Sequence, residues 1–140
     1  ANPYTKAAWP EFLKLVKSLQ PRCVVLANNS HDFAETDIHS YEFPWMPMLP
    51  PADNTMASEV CDTIQPGARW FWDHRVGKDQ LQPAGDIARM VRMLNARQAN
   101  YLLNVPPDRD GLIPAAQVER LKEVGRLLRN APPSVTPAKP

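Results

Sequence analysis

The stretch from Asn100 to Ile113 constrains the fold of this chain more than any other part of its sequence. Tyr101 to Val105 is a short apolar run with β-forming ends, as expected of a strand that is covered on both faces. The two prolines that follow end the strand, because proline has no N–H to donate to a sheet. Asp108 to Gly111 favours a turn, and Pro114 suits the first turn of a helix. The stretch therefore predicts a strand, a turn and a helix, the unit from which α/β barrels are built.

The spacing of apolar residues predicts three helices and four strands in the whole chain. The predicted helices are Trp9–Leu19, Gly85–Ala96 and Ala115–Arg129, and the predicted strands are Cys23–Ala27, Asp37–Glu42, Arg69–Asp73 and Tyr101–Val105. The third strand is placed where aromatic residues favour extended structure. Met56 to Ile64 is ambiguous and is interpreted as a loop with a short regular piece. The order helix, strand, strand, strand, helix, strand, helix indicates an α/β fold.

The length of the chain limits this fold to a part of a barrel. A complete (β/α)8 barrel needs about 250 residues, and the chain has 140. Proline accounts for 16 residues, about twice the usual share, and is concentrated in residues 44–51 and 132–140. We predict a long rigid loop at the first position and a disordered tail over residues 131–140. Residues 1–130 then form the folded domain.

Composition excludes several classes of partner. The net charge is +1, so the chain lacks the basic excess that marks nucleic-acid binding. No apolar stretch approaches the ~20 residues of a membrane span. The three histidines and two cysteines have no metal-ligand spacing. We therefore expect no nucleic acid, membrane or metal as a partner.

Three blocks of the sequence resemble, in the same order, the α-L-fucosidases of glycoside hydrolase family 29. Asn100–Ile113 resembles the pattern Asn-x-Leu-Leu-Asn-x-x-Pro-Asp-x-x-Gly-x-Ile of the last barrel strand, with the helix pattern that follows it at Val118, Leu121 and Gly125. Ala57–Trp72 resembles the segment that contains the preceding strand, and Trp9–Val25 resembles a helix and strand further upstream. The resemblance spans roughly residues 1 to 130. It implies the C-terminal half of an irregular (β/α)8 barrel, strands five to eight, and a retaining fucosidase that needs no cofactor.

Retaining glycosidases use two carboxyl groups, a nucleophile and a general acid/base, and the resemblance points to Glu42 as the acid/base. Asp37–Glu42 resembles an Asp-Ile-Arg-x-x-x-x-Glu segment that carries this residue in one branch of the family, although the spacing here is shorter. Tyr41, Phe43 and Trp45 would desolvate the carboxyl group and raise its pKa. The alternative is a partly exposed loop glutamate. Glu59, which matches a common family glutamate, is the second candidate, and its alternative role is orienting or structural.

The aromatic block supplies the candidates for sugar binding. Trp70 and Trp72 would share one face of a strand, and the family match makes Trp70 sugar-facing. An aromatic wall suits fucose, a 6-deoxy sugar with a methyl group and an apolar ring patch. His74 and Trp45 are further candidates for contact with the sugar. The alternatives are barrel core for the tryptophans and turn polarity for His74.

The nucleophile is expected to be missing from the 140 residues. The family carries it in a Trp-x-Asp-Gly motif ahead of the helix that matches Trp9, and no aspartate precedes Glu11. A nucleophile within the chain would have to be another residue, such as Asp32 or Asp37. The substrate of the parent enzyme would be a fucosylated oligosaccharide or glycoconjugate, and a secreted or periplasmic location would suit it, although the sequence leaves its localisation open.

A second hypothesis is a non-catalytic carbohydrate-binding or self-assembling half-barrel module. A half barrel exposes strand edges and an apolar inner face that must be covered, so we expect the chain to form a homo-oligomer. A third possibility is an unrelated small α/β fold, which the three ordered motifs argue against. The sequence leaves linkage and aglycone specificity open.

Overall fold

The computed structural model of the chain describes residues 3–28, 35–43 and 48–130. Within these ranges the chain forms three helices and four strands, with one short 3-10 turn at Lys78–Gln80. The helices are α1 (Pro3–Leu19), α2 (Ala84–Asn95) and α3 (Ala115–Arg129), and the strands are β1 (Leu26–Ala27), β2 (Ile38–Glu42), β3 (Ser58–Thr63) and β4 (Ala99–Asn104). The predicted order of elements is confirmed.

The four strands form one parallel sheet in the order β1, β2, β3, β4. All three pairings between neighbouring strands are parallel. Because consecutive parallel strands lie side by side, the carboxyl ends of all four strands lie at the same edge of the sheet. The predicted fold class, about four parallel strands with flanking helices, is confirmed.

The third strand lies at a different place from the predicted one. Strand β3 is Ser58–Thr63, inside the segment that was interpreted as loop, and Arg69–Asp73 is not a strand. Gly67 and Ala68 have φ values of 65° and 58°, which turn the chain sharply between β3 and the aromatic residues. The aromatic residues therefore follow the strand instead of forming it.

The core lies between the sheet and the helices α2 and α3. Tyr41, Val60, Leu94 and Ala99 form one buried cluster behind the strands, with Met90, Met93 and Tyr101 packed against it. A second cluster begins at Ile64, the residue directly after β3, and also contains Leu81, Ile87 and Val124. Both helices contribute the apolar faces that their periodicity predicts. They cover only one side of the sheet.

A buried carboxylate is part of this packing. Asp62 is 1% exposed, and its oxygens accept hydrogen bonds from the Tyr101 hydroxyl at 2.7 Å and the Gln82 amide at 3.0 Å. Its other oxygen accepts from the backbone N–H of Thr63 at 2.7 Å. A buried charge of this kind is tolerated only when it is fully hydrogen-bonded. The network ties β3 to β4 and to the segment ahead of α2.

Helix α1 packs less than its pattern predicts. Phe12 and Leu19, two apolar residues of this helix, are exposed. The first strand is also shorter than predicted, since it begins at Leu26 instead of Cys23. Val24, which was predicted to lie in the strand, is 68% exposed. This end of the chain therefore presents apolar side chains that the described residues leave uncovered. Among the described residues, no helix combines the length and the apolar character needed to cross a bilayer.

Candidate active site

We call the face of the sheet opposite to α2 the inner face. Successive strand residues point to opposite sides, and Tyr41 and Val60 point towards α2. The residues that alternate with them along each strand point the other way. The inner face therefore carries Ser40, Glu42, Glu59, Cys61, Asn100 and Leu102. It is more polar than expected, since we predicted a mainly apolar surface there.

Both predicted catalytic glutamates lie on the inner face, in neighbouring rows. Glu42 is the last residue of β2 and pairs with Cys61, whereas Glu59 pairs with Ser40 one row closer to the amino ends of the strands. Asn100 on β4 donates a long hydrogen bond of 3.4 Å to the Glu59 carboxylate. Active sites of α/β barrels lie at the carboxyl ends of the strands. Glu42 is at that edge and Glu59 is deeper.

The predicted desolvation of Glu42 by its aromatic neighbours is wrong for two of them. Tyr41 and Phe43 pack into the core cluster on the helix side, because residues next to Glu42 in a strand point away from the inner face. Trp45 lies outside the described residues. The neighbours of the Glu42 carboxyl group are therefore side chains of the inner face, and Tyr41 and Phe43 are not among them.

Cys61 is next to both glutamates, opposite Glu42 on the neighbouring strand and two residues after Glu59 on its own strand. Burial raises the pKa of its thiol, and the negative charges of Glu59, Glu42 and Asp62 raise it further. A thiol with a raised pKa is a weak nucleophile at neutral pH. The shift reflects the closeness of both inner-face carboxylates to one side chain.

Asp37 is unsuited to be a nucleophile in this site. Its carboxylate accepts hydrogen bonds from the Lys17 ammonium at 2.6 Å and the backbone N–H of Val25 at 2.7 Å. Both bonds lower the pKa of Asp37. At about 3.3 Å per residue, the five residues from Asp37 to Glu42 span about 16 Å, so the two carboxylates lie at opposite ends of β2. Asp32, the other candidate, lies outside the described residues.

The aromatic segment after β3 is held by side chains from the strand ends. Gln65, 1% exposed, donates to the carbonyl oxygens of Arg69 and Phe71 at 3.0 and 2.7 Å. Asn104, the last residue of β4, donates to the carbonyl oxygen of Trp70 at 2.8 Å. Asn104 therefore ties the end of β4 to the backbone of the aromatic segment. Asn100, on the same strand, contacts the Glu59 side chain instead.

An open pocket of about 870 Å³ lies at this edge, between residues 68–75 and 107–109. Trp70, Trp72 and His74 all line it, so the structure brings together three of the four residues predicted to bind sugar. The rings of Trp72 and His74 are tilted against each other with centroids 6.1 Å apart. The fourth, Trp45, is outside the described residues. Glu42 and Glu59 are not among the described residues that line the pocket.

Charged residues also line the pocket. Asp73 pairs with Arg75 at 2.7 Å and with Arg69 at 3.7 Å. The hydrogen bonds from Arg75 hold the pKa of the Asp73 carboxyl group well below its usual range. Asp73 is therefore a fixed anion that orients two guanidinium groups at the rim. Gln65, Arg75 and Arg109 were not predicted as site residues, and Gln65 is the most buried of the three. Its position directly before Pro66 and Gly67, which favour a turn, was the available signal.

The donors of the site do not favour a metal. In the part of the chain that the structure describes, no three His, Cys, Asp or Glu side chains are grouped to hold a metal ion. The chemistry that the site residues can supply is proton transfer by carboxylates and binding by aromatic rings and hydrogen bonds.

The chain is similar to known fucosidases over nearly its whole length. A model of the alpha-L-fucosidase family matches residues 1–131. No curated protein sequence matches. Among solved structures, the alpha-L-fucosidase AlfC of Lactobacillus casei, in complex with its alpha-L-fucose product, superposes with a TM-score of 0.65 at 22% identity, covering 92% of this chain and 37% of AlfC. Isoenzyme 1 of Paenibacillus thiaminolyticus gives 0.63 at 22% identity, covering 85% of this chain and 30% of the enzyme.

These two likenesses establish the fold and its extent. At such low identity they concern the fold alone, and this chain spans about a third of the length of either enzyme. Together with the family match over residues 1–131, they agree with the partial barrel that the sequence predicts. The chain belongs to the alpha-L-fucosidase family.

Proposed function

We propose that this chain forms one side of the active site of a retaining α-L-fucosidase, which releases terminal α-linked L-fucose from oligosaccharides or glycoconjugates. The observation that carries the proposal is the family match over residues 1–131, combined with a carboxylate at the carboxyl edge of a parallel sheet. Glycosidase chemistry needs carboxyl groups that flank the scissile bond. The inner face supplies such groups on the side of the sheet that the helices leave open.

Glu42 is the proposed general acid/base. It ends β2, so its side chain is within reach of a substrate bound above the sheet, in the usual place for barrel enzymes. Its carboxylic acid would protonate the leaving oxygen of the glycosidic bond, and its carboxylate would then activate the water that hydrolyses the fucosyl-enzyme intermediate. The raised pKa of its register partner Cys61 favours the neutral thiol, which adds no charge beside Glu42.

Glu59 is the proposed orienting carboxylate. It lies one row deeper than Glu42 and faces Asn100. Its hydrogen bond with Asn100 and its place next to the row of Glu42 suit a carboxylate that orients neighbouring groups. This role agrees with the alternative that the sequence left open for Glu59.

The pocket lined by Trp70, Trp72 and His74 is the proposed binding site for the sugar. Half-buried indole rings offer apolar surface to the methyl group and ring of fucose, whereas His74 can exchange hydrogen bonds with its hydroxyl groups. Pockets that combine apolar walls with a few polar groups are typical of ligand sites. The nucleophile is proposed to come from outside these 140 residues, since Asp37 is committed to Lys17 at the other end of β2.

The test is a comparison of Glu42→Gln with Glu59→Gln in a fusion of residues 1–140 to the upstream barrel strands of a family member. Loss of a general acid typically costs about 10²- to 10⁴-fold. Glu42→Gln should show this loss with natural fucosides and a smaller one with aryl fucosides, whose leaving groups depart without protonation. The reverse pattern, with Glu59→Gln impaired and Glu42→Gln active, would exchange the two assignments.

One observation favours the second candidate, a non-catalytic or self-assembling half barrel. Leu102 on the inner face is 46% exposed and Phe71 beside the pocket is 87% exposed. Such exposure calls for a covering surface, which a second copy could provide. Binding of L-fucose without turnover, in the fusion that restores the upstream barrel strands, would favour this candidate over the enzyme.

A further inference from the structure

The segment from Arg69 to Phe71 has no regular secondary structure, yet each of its three carbonyl oxygens accepts a hydrogen bond from a side chain. Arg69 receives bonds from the Thr63 hydroxyl at 2.9 Å and the Gln65 amide at 3.0 Å. Trp70 receives one from Asn104, and Phe71 receives a second one from Gln65. The backbone under the tryptophans is therefore held by hydrogen bonds from side chains, where a strand would be held by its neighbouring strand.

The donors of these bonds belong to the rigid part of the fold. Thr63 and Asn104 are the last residues of β3 and β4 and pair with each other in register, and the Asn104 amide also reaches the Thr63 hydroxyl at 3.3 Å. Gln65 follows β3 by two residues, and its oxygen accepts from the backbone N–H of Asp73 at 3.3 Å. The aromatic segment is thus fixed to two strand ends at once.

We propose that Gln65 and Asn104 are positioning residues that determine the specificity of the sugar site. They fix the peptide groups on both sides of Trp70, and a residue's peptide planes set the direction of its side chain. Misplacement of a binding group by about 1 Å is enough to weaken a site strongly. The inference rests on the proposed function, because it assumes that the pocket of Trp70 and Trp72 binds fucose.

The bonding pattern requires amides at both positions. An amide donates two hydrogen bonds through nitrogen and accepts through oxygen, whereas an ionised carboxylate only accepts. Gln65→Glu and Asn104→Asp keep the size of the side chain but turn its donor atoms into acceptors that face carbonyl oxygens. Both substitutions should therefore release the segment without creating a cavity.

The experiment measures binding of L-fucose and of L-galactose to the chain by saturation-transfer NMR. L-galactose has a hydroxymethyl group where L-fucose has its methyl group, so the ratio of the two affinities reports the apolar wall. We expect wild type to prefer L-fucose, and we expect Gln65→Glu and Asn104→Asp to reduce that preference by about tenfold. A residue that only stabilised the fold would lower both affinities together and leave the ratio unchanged.

Two matched variants complete the design. Gln80→Glu makes the same chemical change where the side-chain oxygen only accepts a bond from the Gly77 N–H, and it should leave the ratio at the wild-type value. Thr63→Val removes one donor to Arg69 and should lower the ratio by a smaller factor, which tests the proposal even if a buried carboxylate unfolds the chain. In Gln65→Glu the preference should partly return at acidic pH, because a protonated carboxyl group can donate again.

The outcomes distinguish a failure of the proposed sugar site from a failure of the positioning role alone. Absence of L-fucose binding by the wild-type chain would overturn the proposed site, and this inference with it. Binding by wild type, with an unchanged ratio in folded Gln65→Glu, Asn104→Asp and Thr63→Val, would overturn the positioning role alone and leave the proposed function standing.

Discussion

Glu42 lies directly opposite Cys61 in the parallel pairing of β2 with β3. The thiol has a raised pKa, first because of burial and then because of the charges of Glu59 and Glu42. Cys61 is therefore a chemical reporter for the charge at the proposed acid/base position. It can be read in the isolated chain, where no turnover is needed.

We expect Glu42→Gln to make Cys61 more reactive towards iodoacetamide at a given pH. Removal of the negative charge lowers the pKa of the thiol, so a larger fraction is thiolate, which is the reactive form. Glu59→Gln should act in the same direction and by more, since its charge has the larger effect. The rates are followed by mass spectrometry from neutral to alkaline pH in a Cys23→Ser background. Glu119→Gln, on α3, is the control that should change nothing.

Tyr101→Phe should destabilise the chain by about 1–3 kcal/mol, because it leaves the buried Asp62 carboxylate with one hydrogen bond fewer. Urea unfolding measures the loss. In a double-mutant cycle with Asp62→Asn, the two residues should be coupled by about 0.5–3 kcal/mol. Strict additivity of the two single effects would contradict a direct bond between them.

The pairing of Lys17 with Asp37 predicts a dependence of stability on pH. The folded-state pKa of Asp37 is lowered from 3.8, so its contribution is complete above 3.8 and is lost as pH falls through the lower folded value. Asp37→Asn should therefore reduce stability at neutral pH and should match wild type in strong acid. Urea midpoints across that range test this, and Lys17→Met should give the same convergence. A constant difference at all pH values would mean that the charge is not involved.

Helices α2 and α3 and the last strand were predictable because their signals are local. The apolar spacing of α3 predicts Ala115–Arg129, the same bounds as in the structure, and α2 differs from its prediction by one residue at each end. Strand β3 escaped prediction because polar residues occur on both of its faces. Its helix side includes Asp62, whose partner Tyr101 is 39 residues away. A contact at that separation leaves no pattern in the sequence around Asp62.

The residues that line the candidate site were predictable from the sequence, but the conformation of the segment that carries them was not. The sequence selected Trp70, Trp72 and His74, and they do line one pocket. It placed them on a strand, whereas they follow a sharp turn and are held by Gln65 and Asn104. Their conformation depends on hydrogen bonds from two strand ends. The spacing of apolar residues in the sequence does not predict such bonds. The assignment of Glu42 stays a prediction.

The inner face leads us to expect that the chain self-associates. Leu102 is 46% exposed on that face, and Leu102→Lys should shift the chain towards monomer in light scattering at micromolar concentration. Leu127 on α3 is exposed to a similar extent, 42%, but lies on the helix side. Leu127→Lys is the matched control and should leave the association unchanged. A monomeric wild-type chain with cooperative melting would contradict the expectation.

The isolated chain should hydrolyse aryl α-L-fucosides slowly or not at all. Retaining catalysis requires a nucleophile on the face of the sugar opposite the leaving group, and the proposed site contains only the acid/base side. Glu42 could protonate a leaving group, but only unpositioned water would attack, so the residual catalysis would be that of binding and electrostatics. Turnover of nitrophenyl α-L-fucoside at about 1 s⁻¹ or more, the rate of an ordinary enzyme, would refute this expectation. Such activity would be attributed to this chain only if it disappeared in Asp32→Asn, since Asp37 is held by Lys17 at the far end of β2.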